Sequence, residues 1–122
     1  MITMTQRKPI VRRGDILLVL FPHSDLRMAR TRPALVVQAD NLDTGLSQLV
    51  VSMITSRLSR ANHPSRVLVR LDTPVGQQTG LLTDSVVMTD NLATIMLTAI
   101  DRVIGSLPME MVDGALRHTL GL

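Results

Sequence analysis

Two polar side chains, Arg32 and Thr55, stand at the ends of apolar segments and have the chemistry needed to hold a phosphate ester. Arg32 directly precedes residues 33–37, and Thr55 ends the segment 48–55. A guanidinium offers five donors in a rigid fork that fits phosphate oxygens, and a threonine hydroxyl can donate or accept a hydrogen bond. Because β-strands fix side-chain direction better than loops do, we expect these two side chains to keep a constant relation.

The elements that must position these residues are short strands. Strands are predicted at residues 16–21, 34–38, 48–55, 66–71 and 85–89. The first is apolar at nearly every position, as in a strand buried on both faces, whereas the fourth alternates as in a half-exposed strand. Residues 23–33 and 72–84 are rich in polar and turn-forming residues and predict loops.

The C-terminal segment has the features of a helix. Pro108 and Glu110 suit a first helical turn, and Gly121 stands where a C-terminal cap belongs. Apolar and small residues recur at helical spacing between them, at Val112, Ala115, Leu116 and Thr119. Short strands broken by turns and followed by one helix predict a mainly β fold with α (α+β), a small barrel.

The composition limits the class of protein. With 122 residues, 45% of them hydrophobic, the chain is long enough for one domain with its own core. We expect residues 13–122 to form that domain, after a loose basic arm at residues 1–12. The thirteen basic residues include a single lysine, Lys8, and this arginine bias suits contact with phosphate or carboxylate. Phe21 is the only aromatic residue, so base stacking on an aromatic platform is excluded elsewhere.

Several residue types and segments are absent from the sequence. Without cysteine the chain has no disulfide, thiolate nucleophile or zinc–sulfur site. The histidines, aspartates and glutamates lack metal-ligand spacing, so we predict no metal and no cofactor. The N-terminus has no apolar signal segment, and residues 16–21 are too few to span a bilayer. These features predict a soluble, cytoplasmic protein.

Seven segments, in this order and spacing, resemble the MazF/PemK toxins. They are residues 13–16, 21–22, 32–37, 54–58, 80–87, 90–94 and 115–122, and the resemblance extends over nearly all of residues 12–122. It implies an SH3-like barrel with a C-terminal helix, usually a homodimer. It also implies the toxin of a type II toxin–antitoxin pair, a metal-independent endoribonuclease that cuts single-stranded RNA at short sequences and leaves 2′,3′-cyclic phosphate and 5′-hydroxyl ends.

The resemblance also implies roles for single residues. Arg32 and Thr55 match the family's catalytic arginine and threonine, and Asp90 matches an acidic position that some members use in catalysis. We expect Arg32 to bind the scissile phosphate and Thr55 to orient it. Further RNA contacts are predicted for polar and basic residues near these positions, at His23, Arg27, Arg30, Ser56, Arg57 and Arg60. An acidic or apolar tail of the cognate antitoxin is expected to cover the same cations.

Two other functions stay open, and a departure from the family pattern favours the first of them. Where members often have Asp-Gln-Ile-Arg-Thr, this chain has residues 90–94 with Ala93 in place of the arginine. A catalytically inactive barrel that binds only antitoxin or RNA is therefore one alternative. A CcdB-like toxin that binds gyrase shares the barrel and is another, in which Arg32 and Thr55 would have no catalytic role.

Overall fold

The computed structural model describes residues 10–22 and 29–122. Its strands are β1 (Asp15–Pro22), β2 (Ala29–Val36), β3 (Gln48–Thr55), β4 (Arg66–Val69), β5 (Ser85–Met96) and β6 (Ile100–Ser106). Its helices are the single turn α1 (Pro74–Gln77) and the C-terminal α2 (Asp113–Leu120), with 3-10 turns at Leu58–Arg60, Leu97–Ala99 and Met109–Met111. No helix among these residues is both long and apolar enough to cross a membrane.

The six strands form one antiparallel sheet in the order β4-β5-β3-β2-β1-β6. This architecture, with the terminal helix, confirms the predicted mainly β fold with α. In the described residues the sheet is not closed, because β4 and β6 stand at opposite ends of the hydrogen-bonded order. The predicted arm, residues 1–12, lies mostly outside the described part of the chain and stays a prediction.

Side-chain alternation along the strands builds two apolar clusters, one on each face of the sheet. Ile16, Leu35 and Ile54 belong to the cluster that also contains Val112 and Leu116, the residues by which the C-terminal segment packs on the sheet. The other face carries the second cluster, Leu17, Val19, Ala34, Val36, Leu49, Val51 and Ile95. Because neighbouring residues of β1 enter different clusters, its nearly continuous apolar run is explained by burial on both faces.

Two glycines allow the segment after α1 to pack against β6, across the open side of the sheet. A Cβ on Gly80 would lie 2.0 Å from the Ile104 carbonyl oxygen, and one on Gly105 would lie 2.3 Å from the Thr79 carbonyl carbon. The Ser106 N–H also donates to the Gln78 carbonyl at 3.0 Å. Only residues without a Cβ permit this approach of two backbones.

A long bulge interrupts β5 beside β3. Ser52 pairs with Leu92 and the next residue, Met53, pairs with Met88, so residues 89–91 have no partner on β3. The buried Ser52 hydroxyl donates to the Met88 carbonyl at 2.8 Å and holds the start of the bulge. This irregularity places Thr89 beneath α2, where its hydroxyl lies 2.8 Å from that of Thr119.

Several elements differ from those predicted: β5 continues to Met96 beyond the predicted 85–89, and β4 ends at Val69 and not at residue 71. Strand β2 begins at Ala29, so Arg30 and Arg32 lie within a strand and not in a loop. Strand β6 was not predicted, because two bulges against β1 disturb its alternation. The α-helix begins at Asp113, after the 3-10 turn Met109–Met111. The cap was predicted correctly, since Gly121 has φ of 72°.

Candidate active site

A cleft of about 950 Å³ opens where β2 and β3 part. In the described residues, the β2–β3 ladder runs from Val36 opposite Val51 to Ala34 opposite Met53 and stops there. Arg32 and Thr55 would form the pair two steps further along the same register, and both line the cleft. Each backbone stays fixed, because Arg32 pairs with Val19 on β1 and Thr55 pairs with Val86 on β5.

Positive charge dominates the walls of this cleft. The lining includes five arginines, Arg30, Arg32, Arg57, Arg60 and Arg102. Among the described lining residues there is no aspartate, glutamate or histidine. A concave surface of this kind attracts polyanions, because it focuses the electric field of its arginines inside the cleft.

The Thr55 hydroxyl has a defined hydrogen-bonding state. Its oxygen accepts a hydrogen bond from the Arg57 backbone N–H at 3.2 Å, so the turn after β3 folds back on the strand end. The hydroxyl proton can then be donated to a ligand oxygen in the cleft. Ser56, between the two, is exposed and also lines the cleft.

An ion pair beside the cleft fixes the position of Arg60. The Arg66 guanidinium donates to Asp90 with Nη2–Oδ2 at 2.7 Å, and its Nη1 donates to the Arg60 carbonyl at 3.2 Å. The Arg60 side chain in turn reaches the Met88 sulfur at 3.9 Å. The hydrogen bond from Arg66 holds the pKa of Asp90 below its usual range, and the same bond raises the pKa of Arg66. Asp90 is therefore a charged partner of Arg66 near neutral pH.

The structure brings together most, but not all, of the predicted site residues. Six of them line the cleft: Arg30, Arg32, Thr55, Ser56, Arg57 and Arg60. Asp90 does not line it, since its carboxylate turns to Arg66. His23 and Arg27 lie outside the described residues.

Some cleft residues escaped the sequence analysis. Arg102 and Ile104 come from the unpredicted strand β6, and Asn91 comes from the bulge of β5. Leu81 and Leu82 belong to a segment in which only a loop was predicted. Gly80 and Gly105 were the available signals of a close approach, but they lie on segments that are distant in sequence.

Comparison with known proteins identifies the family. The model of PemK-like, MazF-like toxins of type II toxin–antitoxin systems matches residues 12–120. The chain belongs to this toxin family. Endoribonuclease MazF6 of Mycobacterium tuberculosis and endoribonuclease MazF2 of Mycobacterium bovis are each 33% identical over 107 residues, which cover 84% of this chain and 90% of the relative. These matches confirm the predicted family and its class, the MazF-type endoribonuclease toxins.

Solved structures of MazF-like toxins share the fold. The Mycobacterium tuberculosis toxin MazF-mt6 is 25% identical, with a TM-score of 0.64 over 88% of this chain and 92% of that one. A mycobacterial endoribonuclease in complex with its cognate antitoxin has a TM-score of 0.69 at 21% identity, over 93% of this chain and 97% of that one. A MazE–MazF structure from Deinococcus radiodurans has a TM-score of 0.67 at 18% identity, with 96% and 99% covered.

In this MazF-like chain the departure at Ala93 falls within the cleft. Ala93 lines it, pairs with Val51 on β3 and packs against the second apolar cluster. Within residues 10–22 and 29–122, no group of three or more histidine, aspartate or glutamate side chains is arranged to hold a metal ion.

Proposed function

We propose that this toxin cuts single-stranded messenger RNA at short sequences, using Arg32 and Thr55 as its central catalytic residues. The observation that supports the proposal is the common cleft of these two residues, on strands that are each fixed by another neighbour. Cutting messenger RNA would stop translation and growth. Because its substrate is cytoplasmic, we also propose a cytoplasmic location.

The proposed reaction uses the RNA's own 2′-hydroxyl as the nucleophile. The 2′-oxygen bonds to phosphorus and loses its proton, while the bond from phosphorus to the 5′-oxygen breaks and that oxygen takes up a proton. The step consumes no water and no net proton, and its products are a 2′,3′-cyclic phosphate and a 5′-hydroxyl. Such a reaction needs charge stabilisation and orientation at phosphate more than a protein nucleophile.

Arg32 and Thr55 are suited to different parts of that task. The Arg32 guanidinium would bind the non-bridging phosphate oxygens, on which negative charge grows as the 2′-oxygen attacks. Thr55 would donate its hydroxyl proton to one of them, since the Arg57 N–H already occupies a lone pair of its oxygen. Asp90 would contribute indirectly, by holding Arg66 and through it the Arg60 backbone.

RNA contacts away from the reacting phosphate would come from the other cleft residues. Arg30, Ser56, Arg57 and Arg60 line the same cavity and would hold the backbone on both sides of the cut. His23 and Arg27, in the segment before β2, stay predicted contacts. We further propose that the toxin is a homodimer and that an antitoxin tail competes with RNA for these cations.

Cleavage of a long single-stranded RNA in the presence of EDTA tests the proposal. Wild type, Arg32→Ala and Thr55→Ala would be compared, with the ends mapped chemically. Arg117→Ala and Thr98→Ala are matched controls, because both residues are exposed and lie outside the cleft. We expect each cleft variant to lose about 100- to 1,000-fold in rate and the controls to keep wild-type rates. Folded wild type that leaves RNA intact would contradict the proposal.

Binding without cleavage is a second candidate, and Ala93 is the observation that favours it. An arginine at this position would enter the cleft as a further cation, and its absence removes one phosphate contact. If wild type binds RNA but leaves it intact, Ala93→Arg is the variant to test for restored cutting. Cleavage by wild type at a short repeated sequence excludes this candidate.

A further inference from the structure

We propose that Arg102 and the aliphatic wall beside it form a separate subsite, which holds a nucleotide flanking the cut phosphate. The proposal rests on the RNA-cutting function proposed above. Arg102 lies on β6, at the opposite end of the sheet order from the strands that carry Thr55 and Asp90. The predicted site did not include it.

Two bulges in β6, one on each side of Arg102 and Val103, set the register of Arg102 against β1. Leu18 pairs with Arg102 and Val19 pairs with Ile100, so Asp101 is the extra residue between two successive pairs. On the other side Ile16 pairs with Gly105 and Leu17 pairs with Val103, so Ile104 is a second extra residue. Without Ile104 as an extra residue, the same register would place Val103, and not Arg102, opposite Leu18. Bulges next to binding sites commonly re-aim a side chain in this way.

The same register makes a continuous row across three strands. Leu18 pairs with Arg102 on one side and with Pro33 on the other, and cross-strand partners present their side chains on one face of a sheet. All three residues line the cleft. The row therefore places Arg102, Leu18 and Pro33 on one face of the sheet. Arg32, one position before Pro33, projects to the other face and lines the same cleft.

Aliphatic side chains complete the wall. Leu81, Leu82 and Ile104 line the cleft beside Arg102, and Leu82 is 97% exposed. The close approach of Gly80 to the Ile104 carbonyl holds Leu81 and Leu82 beside Ile104. With no aromatic residue in the described lining, a nucleobase would pack on these aliphatic groups while Arg102 contacts its phosphate.

Arg102 is available for such a contact. Among the described residues, its only ion-pair partner is the adjacent Asp101 at 3.3 Å, and the two side chains are 68% and 39% exposed. An ion pair this exposed contributes little, so a phosphate can replace the carboxylate at small cost.

The salt dependence of RNA binding tests the subsite. All proteins would carry Thr55→Ala to prevent cutting, and the binding constant for a single-stranded RNA that contains the cleavage sequence would be measured at several salt concentrations. Arg102→Ala should reduce the slope of log K against log salt by about 0.7, the loss of one phosphate contact on a single strand. Arg102→Lys should retain the wild-type slope. Arg117→Ala, an exposed cation outside the cleft, is the matched control.

The kinetics of RNA cleavage, measured in proteins that retain Thr55, give a second test. Arg102→Ala should raise KM about 3- to 10-fold with kcat within about twofold, since the lost contact is equal in the ground and transition states. Asp101→Ala should leave KM unchanged or lower it. If wild type cuts RNA while Arg102→Ala keeps its slope and KM, the subsite alone is wrong. If wild type neither binds nor cuts RNA, the proposed function fails and the subsite with it.

Discussion

Arg66 donates to both carboxylate oxygens of Asp90, through Nη2 to Oδ2 at 2.7 Å and through Nε to Oδ1 at 3.4 Å. The pair joins β4 to the bulge of β5 at one side of the cleft. Arg66 also holds the Arg60 carbonyl, so the turn that carries two cleft arginines, Arg57 and Arg60, depends on it.

This ion pair should make stability depend on pH in the acid range. The pKa of Asp90 is lowered in the folded protein by Arg66, so the stabilisation is fully present above the unfolded pKa of about 4. It is lost as pH falls through the lower folded pKa. We expect wild type to be more stable to urea than Asp90→Asn at pH 7 and the difference to shrink below about pH 4. A difference that is constant between pH 7 and pH 2.5 would contradict this role.

The close approach of Gly80 to β6 should make that position intolerant of any side chain. Gly80 has φ of +71°, and a Cβ there would lie 2.0 Å from the Ile104 carbonyl oxygen. Gly80→Ala should lower the free energy of unfolding by about 2 kcal/mol or more, since it adds a backbone clash to positive-φ strain. Gly45→Ala is the control, because Gly45 shares the positive φ but has open space around it. We expect a cost of about 1 kcal/mol there, and equal costs at both positions would show that no clash exists.

The hydroxyl of Thr89 should contribute to the docking of α2. This buried group lies 2.6 Å from the Ser65 carbonyl oxygen, 3.1 Å from that of Ala115 and 2.8 Å from the Thr119 hydroxyl. Thr89→Val keeps the shape of the side chain but removes its hydroxyl and these hydrogen bonds. We expect the free energy of unfolding to fall by about 1–3 kcal/mol. Amide exchange in α2 should accelerate more than exchange in β1. Unchanged protection of α2 would show that apolar packing alone holds the helix.

One substitution should stabilise the protein without affecting the cleft. A Cβ on Gly114, the second residue of α2, would have no atom from outside its own helix segment within 4 Å, so Gly114→Ala should add about 0.5 kcal/mol. Gly121→Ala is the contrasting variant, because Gly121 caps the same helix with φ of 72°. It should destabilise the protein, and RNA cleavage should be unchanged in both. Thermal unfolding measures the two effects, which should have opposite signs.

Part of the site and of the fold could be predicted from local sequence patterns, each for a physical reason. Arg32 and Thr55 each adjoin an apolar segment long enough to be a buried strand, and strands project their residues in fixed directions. The terminal helix followed from apolar spacing and from Gly121, whose left-handed backbone was confirmed. The order of family motifs added the toxin class, which the family match confirmed.

Long-range contacts decided the rest. Asp90 was predicted to be catalytic, but its environment depends on Arg66, which lies 24 positions away and reaches it only through the β4–β5 pairing. Arg102 was missed because the bulge at Asp101 disturbs the alternation of β6. The opening of the cleft itself depends on where the β2–β3 ladder stops.

The sequence alone therefore determined that Arg32 and Thr55 adjoin buried strand segments, how the terminal helix is capped and to which family the chain belongs. These properties depend on residue type and on spacing along the chain. The tertiary structure alone decided that Asp90 turns to Arg66 and that Arg102 shares the cleft with Arg32. Both depend on strand register, which shifts by one residue at each bulge of β6 and by three at the bulge of β5, and each such odd shift reverses the direction of every following side chain.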